Sequence, residues 1–350
     1  YGVSSRALFD NPSKTFKIVG IARAGHPFQG SVGDGEAIEI YTGAVMPSGP
    51  DCVAMHEDCK RDGQFVSIQK PVKAGINLRL AGENLSKGEE VITRGQRINA
   101  PLIGQLAASG HREIAVQKIV KVALLSTGDE IVEAGSDLKT GQIYDSNRPM
   151  VRALLSEPML SLHDCGIVPD KLEALTSKYE AALAVNDVVI SSGGASDGVE
   201  DHTQAAMQAV GADCALWRLA MKPGRPMAVG QRGEKLIFCL PGNPVAAFVC
   251  TKLLIMPLLT HLAGGVITSP LKFFVPAGFS HKKATGRAEY LRATIADGMH
   301  GQEIKLHGRK GAGVISSLIG SDGLVEIPSD NAGVEPGMPL AFLPFADRTL

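Results

Sequence analysis

The sequence lacks the features that assign a chain to several large classes of protein. Its formal net charge is −1, which leaves no general basic surface for nucleic acid or for an acidic membrane. It has no CxxC pair, and its six cysteines are scattered, so reduced thiols in a cytosolic protein are the simplest interpretation. A metal site at Cys52, His56 and Cys59 is conceivable, but their spacing is not a standard zinc pattern. We therefore expect a cytoplasmic protein with no nucleic-acid or membrane partner.

Long hydrophobic runs, secretory signals and convincing repeats are also missing. The most apolar stretch is 244–262, which carries Thr251, Lys252 and His261 and is typical of a buried helix. The remaining composition, 44% hydrophobic and 20% charged, is that of an ordinary globular protein. Single cores stop growing at about 250–300 residues, so 350 residues predict more than one domain. The chain begins at Tyr1, and we expect the natural N-terminus to lie upstream.

Apolar runs and turn signals predict an α/β multidomain chain. Residues 18–84 alternate short apolar runs with Gly- and Pro-containing turns, which predicts a small β domain. Residues 118–266 alternate strand and helix patterns, which predicts a central doubly wound, mostly parallel sheet. Residues 267–350 return to strand and turn signals and predict a barrel-like β domain. Residues 85–117 are typical of a connector between two larger parts, and residues 1–17 are too short to classify.

The expected elements follow from hydrophobic periodicity and from turn residues. In the central part, strands are predicted at 120–125, 187–190, 215–219 and 236–240, and helices at 147–156, 172–185, 203–210 and after Pro244. Outside it, a helix is predicted at 100–109 and strands at 271–275, 289–295, 324–327 and 340–343. Ligands of such a sheet bind at the carboxyl ends of its strands, so the loops that follow the central strands are the places to search for a site.

One of these loops follows the β-branched run 188–190 and contains Gly193, Gly194 and Ser196. A strand, a small-residue loop and then a helix bring backbone N–H groups and the positive end of a helix to one point, which suits an anion. Asp201 lies just beyond, where it can hold a cation or accept a proton. A tight turn without a ligand is the alternative.

Carboxylates follow other strands. Asp129 and Glu130 stand side by side next to a glycine after the first central strand, which suits Mg²⁺ bound partly through water and substrate phosphate. A polar loop that caps a helix is the alternative. Asp145 and Asn147 stand at the start of a helical pattern, and Asp170 follows Gly166-Ile167-Val168-Pro169, with the same two interpretations.

Three cations, Arg218, Lys222 and Arg225, fall within eight residues around a Pro-Gly turn. The planar, forked guanidinium of arginine and the point charge of lysine suit phosphate and other oxyanions, and a solvated basic turn is the alternative.

Residues 240–244 (LPGNP) follow the next predicted strand and precede a long helix. They can be interpreted as a loop that binds a ligand or as a purely structural turn. The loops together offer anion cradles, cations and carboxylates but no nucleophile paired with histidine. Phosphoryl-type or oxyanion chemistry assisted by a divalent metal is the inference from the residues alone.

In this order, the motifs resemble those of the molybdopterin molybdenumtransferases, the molybdenum insertases related to the C-terminal domain of gephyrin. The resemblance covers essentially the whole chain, and the ordered set is more specific than any single motif. It also takes in Thr42-Gly43-Ala44, Arg79 with Glu83, and residues 141–147. From the residues alone, a strand-end turn is the preferred interpretation of Thr42, and the resemblance reverses that preference.

The resemblance implies an enzyme that takes adenylylated molybdopterin and molybdate, inserts the metal at the dithiolene and releases AMP with Mg²⁺. It implies an elongated homodimer with four domains per chain, in which residues 1–17 and 85–117 form a connecting and dimerisation domain. Thr42 and Arg79 are then expected to reach the cleft of the partner chain. A molybdopterin adenylyltransferase and molybdoenzyme acceptors are the expected partners. A non-catalytic molybdopterin-binding scaffold and an adenylyltransferase are the alternatives, although the latter class resembles the α/β part alone. Molybdenum and tungsten are not distinguished.

The resemblance also assigns roles to residues. Glu130, Asp201 and Lys222 are expected to be catalytic, with Glu130 and Asp201 as metal ligands. The expected substrate-binding residues are Thr42, Arg79, Thr127, Gly128, Asp129, Asp145, Asn147, Asp170, Gly193, Gly194, Ser196, Arg218, Arg225, Pro241, Gly242, Asn243 and Ser316. The chain departs from the family at Asn84, where aspartate is common, and at Arg218 and Arg225, where lysine is common.

Overall fold

Two units, Tyr1–Val91 and Ile92–Leu350, make up the chain in this computed structural model. The structure describes residues 1–11, 13–193, 202–298, 301–309 and 311–345. The first unit is built on one sheet, and the second combines an α/β sheet with a second β sheet.

The first unit is a six-stranded sheet with one short helix. Its elements are β1 (Gly2–Val3), α1 (Ser5–Asp10), β2 (Thr15–Ala22), β3 (Glu36–Ile40), β4 (Cys52–Val53), β5 (Cys59–Asp62) and β6 (Phe65–Ile68). The strand order is β4-β1-β3-β2-β6-β5. Residues 1–17, which the family resemblance groups with 85–117, contribute β1, α1 and the buried side chains of Val3, Leu8 and Phe16 to the core of this unit.

The second unit begins with α2 (Ala100–Ala108) and continues into the α/β part. Its strands are β7 (Val120–Thr127), β8 (Ile131–Val132), β9 (Ile143–Tyr144), β10 (Leu160–Val168), β11 (Val188–Ser192), β12 (Asp213–Arg218), β13 (Met221–Lys222), β14 (Pro226–Arg232) and β15 (Lys235–Leu240). Its helices are α3 (Asn147–Leu154), α4 (Leu172–Val185), α5 (Thr203–Ala209), α6 (Pro244–Cys250) and α7 (Met256–Leu262). The strands and helices expected in this part are confirmed to within a few residues.

The main sheet has the order β10-β7-β11-β15-β14-β12. The first four strands are parallel, and β14 and β12 form an antiparallel edge. Helices α4 and α5 pack on one face, while α3, α6 and α7 pack on the other. The β-branched residues of β11 are fully buried because both faces of the strand are covered. The predicted doubly wound, mostly parallel sheet is confirmed, and the carboxyl ends of β7, β11 and β15 meet at one edge.

The helical stretch Pro244–Leu262 is long and apolar enough to cross a membrane by length and composition. Its residues Val245, Val249 and Leu259 are instead buried in the core of this unit. A π-helical segment, Thr251–Ile255, interrupts it between α6 and α7. Pro257 explains the interruption, because proline lacks an N–H and its ring clashes with the carbonyl four residues earlier.

The C-terminal strands form a second sheet that closes towards a barrel. They are β16 (Phe273–Pro276), β17 (His281–Lys282), β18 (Ala288–Gly298), β19 (Gly301–Leu306), β20 (Gly323–Ile327), β21 (Gly333–Val334) and β22 (Pro339–Pro344). The order in this sheet is β13-β18-β20-β22-β16, with β19 paired to β18 off this path, whereas β17 and β21 pair with each other in a separate two-stranded sheet. Strand β13, which lies in the predicted α/β segment, thus joins this sheet and pairs in parallel with β18. This pairing decides where Lys222 lies.

Candidate functional site

Three strand ends come together at what we call the strand-end site, residues 127–130, 145–147, 193 and 241–243. Gly193 is its tightest point, with φ at +95° and the position of a Cβ only 2.1 Å from the Thr127 carbonyl oxygen. The Gly193 N–H also donates to the carbonyl of Leu240 at 3.3 Å. Glycine is therefore required where β11 passes between β7 and β15.

Asn147, the first residue of α3, ties these strand ends together. Its Nδ2 donates to Ser192 Oγ and to the Gly242 carbonyl, both at 2.7 Å. Its Oδ1 is buried and has no hydrogen-bond partner among the described residues, and the same holds for Ser126 Oγ and Thr127 Oγ1. Buried polar atoms are ordinarily paired. Unpaired atoms grouped at the end of β7 and the start of α3 indicate a place for a polar ligand.

Carboxylates lie on the open side of this site. Asp129 and Glu130 are exposed directly after β7, and Asp129 Oδ1 accepts from the Asp170 backbone N–H at 3.2 Å. That bond joins the loops after β7 and β10. Within the described ranges, no group of three potential metal-ligating side chains occurs. Asp201, the other expected metal ligand, lies outside the described residues, as do Gly194 and Ser196.

Asp145 is buried and bound to Arg148, a residue that the sequence analysis did not select. One oxygen of Asp145 accepts from the Arg148 backbone N–H at 3.1 Å and the other from Arg148 Nε at 3.0 Å. The Arg148 guanidinium also pairs with Asp164 and Glu133. Asp145 therefore holds the first turn of α3, as the capping alternative predicted, and Arg148 anchors that turn to β10 and to the segment after β8.

Lys222 lies on β13 in the C-terminal sheet, at a cavity of about 240 Å³. We call this cavity the Arg292 cavity. Its charged and titratable lining residues are Lys222, His281, Glu289, Arg292, His307 and Arg309. Lys222 Nζ is 3.1 Å from Glu289 Oε1. Lys222 therefore lies at a cavity whose charged and titratable lining residues are mostly basic, and not on a solvated turn.

Arg292 is the most unusual group in this cavity. It is only 7% exposed, and its guanidinium donates to Ser317 Oγ at 2.9 Å and to the carbonyls of Arg309 and Gly311 at 3.2 and 3.3 Å. Every hydrogen-bond acceptor of Arg292 among the described residues is therefore an uncharged oxygen. Burial lowers the pKa of the guanidinium. A buried cation without a carboxylate is costly unless a counter-charge is supplied, so this position suits an oxyanion.

One loop connects the Arg292 cavity with the strand-end site. Gly311 and Ala312 line the cavity, and the Ala312 carbonyl accepts from the Val245 N–H at 2.9 Å in the first turn of α6. Asn243 Oδ1 lies 3.8 Å from the position of a Cβ on Gly313. The two sites are therefore neighbours within the second unit.

The remaining predicted residues of the second unit are exposed. Arg218 and Arg225 flank a short loop closed by a hydrogen bond from the Leu219 N–H to the Arg225 carbonyl at 2.9 Å. Ser316 lies in the short 3₁₀ turn Ile315–Ser317. Its neighbour Ser317 is buried and is the serine that contacts Arg292.

Thr42 and Arg79 belong to the first unit, and both are exposed. Thr42 lies in a turn after β3 that is closed by a hydrogen bond from the Ala44 N–H to the Tyr41 carbonyl at 3.0 Å. Gly43 has φ at +82°, which the third position of such a turn requires. The turn interpretation thus describes the local structure of Thr42, and its expected role in substrate binding stays a prediction.

The sequence analysis missed Arg292, Glu289 and the two histidines of the cavity. A signal was available, because Glu289 and Arg292 stand three residues apart inside a segment predicted as an otherwise largely apolar strand. Charged residues buried in a strand need partners or a ligand.

Comparison with known families first defines the class of protein. Residues 123–261 match the family described as a probable molybdopterin binding domain, so the α/β part is a domain of that class. Residues 1–110 match the MoeA N-terminal region (domain I and II), and residues 275–345 match the MoeA C-terminal region (domain IV). The chain belongs to the MoeA family of molybdopterin molybdenumtransferases, and it is a transferase of molybdenum cofactor biosynthesis.

Individual relatives agree with this membership. A molybdopterin molybdenumtransferase of Haemophilus influenzae is 36% identical over 338 residues, which cover 95% of this chain and 83% of that protein. One from a Staphylococcus aureus strain is 30% identical over 322 residues, 92% of this chain and 77% of that protein. A solved structure of the molybdopterin biosynthesis MoeA protein from Pyrococcus horikoshii has a TM-score of 0.82 at 25% identity and covers 98% of this chain and 85% of that one. The family, fold class and enzyme class expected from the sequence are confirmed.

Proposed function

We propose that the chain inserts molybdate into adenylylated molybdopterin and releases AMP. The observation that carries this proposal is Arg292, a buried cation with neutral partners, in a cavity that shares a loop with the strand-end site. The strand-end site suits the pterin–nucleotide, and the Arg292 cavity suits a tetrahedral oxyanion. The family membership supports molybdopterin and molybdate as the two substrates.

The chemistry requires two anions to approach each other. Lys222 and Arg292 offset the charge of molybdate, and the N–H groups and polar side chains at the strand ends hold the pterin–nucleotide. Binding both in fixed positions turns an encounter between like charges into a reaction within one complex. Arg218 and Arg225 are proposed to add positive charge beside the oxyanion.

Mg²⁺ is proposed as a cofactor of the AMP-releasing step. Asp129 and Glu130 fit this role, because they are adjacent, exposed carboxylates beside the strand-end site and Mg²⁺ is commonly held by one or two carboxylates together with substrate phosphates. When bound, the ion neutralises phosphate charge. Asp201 is proposed as a further ligand. The role of this chain is to present the carboxylates at the carboxyl end of β7.

Asn147→Ala tests the strand-end assignment. The substitution removes both the bridge to Ser192 and Gly242 and an unpaired acceptor. We therefore expect the Kd for adenylylated molybdopterin, measured by titration calorimetry, to rise about tenfold or more.

The matched control is Asn186→Ala. Asn186 is also buried and donates from Nδ2 to a backbone carbonyl, that of Ala182 at 2.9 Å, but it precedes β11 and so lies at the opposite end of this strand. We expect a comparable loss of stability, about 1–3 kcal/mol, with unchanged ligand affinity. Equal Kd values for the two variants would remove Asn147 from the binding site.

We also propose a cytoplasmic homodimer in which Thr42 and Arg79 bind substrate, with a molybdopterin adenylyltransferase and molybdoenzyme acceptors as partners. The family membership supports these expectations. Light scattering of the purified protein is expected to give about twice the chain mass of 36.8 kDa. A mass equal to one chain at micromolar concentration would contradict the dimer.

A further inference from the structure

Glu289 is a carboxylate in the wall of a cavity whose other charged side chains are cationic. It is 6% exposed. Its Oε1 lies 3.1 Å from Lys222 Nζ, and its Oε2 lies 2.8 Å from His281 Nε2. Burial alone would raise the pKa of Glu289, but the hydrogen bonds from His281 and Lys222 hold it below its ordinary value. A negative charge is therefore maintained inside a site that suits an anion.

The sheet register explains why Glu289 controls Lys222. Lys222 and Glu289 are direct partners in the parallel pair of β13 and β18. The side chain of Lys222 is 55% exposed and that of Glu289 only 8%. The buried carboxylate is thus the fixed member of the pair, and the ammonium group is held against it at the open side of the cavity.

We propose that Glu289 is a positioning and charge-balancing residue that sets the affinity of the Arg292 cavity for a tetrahedral oxyanion. It holds Lys222 in place and at the same time cancels part of the positive charge of Lys222, Arg292 and Arg309. A bound oxyanion then remains exchangeable and can leave its cation site to react. The inference rests on the proposed function, which makes this cavity the molybdate site.

Glu289→Gln is the direct test. Glutamine keeps the shape, its amide oxygen can accept from Lys222, and its amide nitrogen can donate to His281. Removing one negative charge beside the anion is expected to lower the molybdate Kd about tenfold. In the complete assay, both KM for molybdate and kcat should fall, because the anion is held too tightly. A merely structural role predicts the opposite, a higher Kd.

Two further variants control for charge and for position. Glu289→Asp keeps the charge and should leave the molybdate Kd within about threefold of that of the unaltered chain. Glu326→Gln is the matched control, because Glu326 on β20 of the same sheet forms a similar pair with Lys272 at 2.6 Å and is not among the residues that line the cavity. Its Kd should be unchanged.

A second arm applies if Glu289→Gln does not fold. His281 Nε2 lies 2.8 Å from Glu289 Oε2. His281→Lys places a fixed positive charge against Glu289 and offsets its negative charge, so the molybdate Kd should fall. His281→Gln keeps a neutral donor to Glu289 and is the comparison. A Kd that is no lower in folded His281→Lys than in His281→Gln would contradict the inference.

The outcomes separate this inference from the proposed function. Calorimetry on the unaltered full chain with sodium molybdate comes first, and absence of binding would overturn both. Binding by the unaltered chain, with an equal or higher Kd in folded Glu289→Gln, would overturn only the role of Glu289. A lower Kd in Glu289→Gln, together with an unchanged Kd in Glu326→Gln, is the result we expect.

Discussion

Replacing Arg292 with glutamine is expected to lower molybdate-dependent turnover about a hundredfold or more. The guanidinium is a buried positive charge of the Arg292 cavity, and its described partners are neutral. Its charge is therefore available to the oxyanion. Losing one preorganised charged donor of this kind in a site sheltered from water costs about 10²–10³ in rate. Turnover is measured as AMP released per enzyme at a fixed molybdate concentration.

Lysine at position 292 should recover part of this loss, because it keeps the charge but not the planar fork that contacts Ser317 and two carbonyls. Arg232→Gln is the control. The Arg232 side chain is 41% exposed and pairs with Glu180 at 2.7 Å, and it lies outside both sites, so its loss should leave turnover unchanged. If Arg292→Gln folds and retains more than about a third of normal turnover, Arg292 does not bind the oxyanion.

Gly193→Ala is expected to have the second large effect, this time on the strand-end site. A Cβ at this position would lie 2.1 Å from the Thr127 carbonyl oxygen, and φ is +95°. The Thr127 oxygen belongs to the backbone and cannot rotate away as a side chain would, so β11 must shift away from β7. We expect a loss of about 3 kcal/mol or more in the free energy of unfolding, measured by chemical denaturation. Affinity for adenylylated molybdopterin should fall with it.

Gly233→Ala is the control that separates the effect of the steric clash at Gly193 from the effect of a positive φ. Gly233, in the turn between β14 and β15, has φ at +61° but no atom within 4 Å of the position of a Cβ. Its replacement should cost only about 1 kcal/mol, the ordinary penalty of a left-handed residue other than glycine. Equal losses for the two variants would mean that strand β11 tolerates displacement at Gly193.

The sequence was sufficient where local pattern decides structure. Helix α4 has the bounds predicted from its periodicity, 172–185, and the β-branched run of β11 is buried on both faces as expected. The loop at Gly193 was selected for its small residues, and the close approach of β7 is the reason for the glycine at position 193. Local signals of this kind need only neighbours in sequence, so they can be read without the fold.

The Arg292 cavity depends on a contact that no local pattern contains. Lys222 and Glu289 are 67 residues apart and meet only because β13 leaves the α/β part and joins the C-terminal sheet. A two-residue strand beside a Pro-Gly turn gives no strand signal of its own. Asp145 shows a different limit, because a carboxylate before a helix suits a ligand and a cap equally well in sequence. The structure shows that Asp145 accepts from the backbone N–H and Nε of Arg148, three residues later, and its expected role in substrate binding stays a prediction.

The most direct test of the proposed function is AMP release from purified adenylylated molybdopterin with Mg²⁺, measured with and without molybdate and then with tungstate. We predict AMP release that requires the oxyanion, and the comparison with tungstate shows which metal is preferred. Tight binding of the substrate without AMP release at any molybdate concentration would contradict the proposed insertion reaction and would favour a scaffolding role.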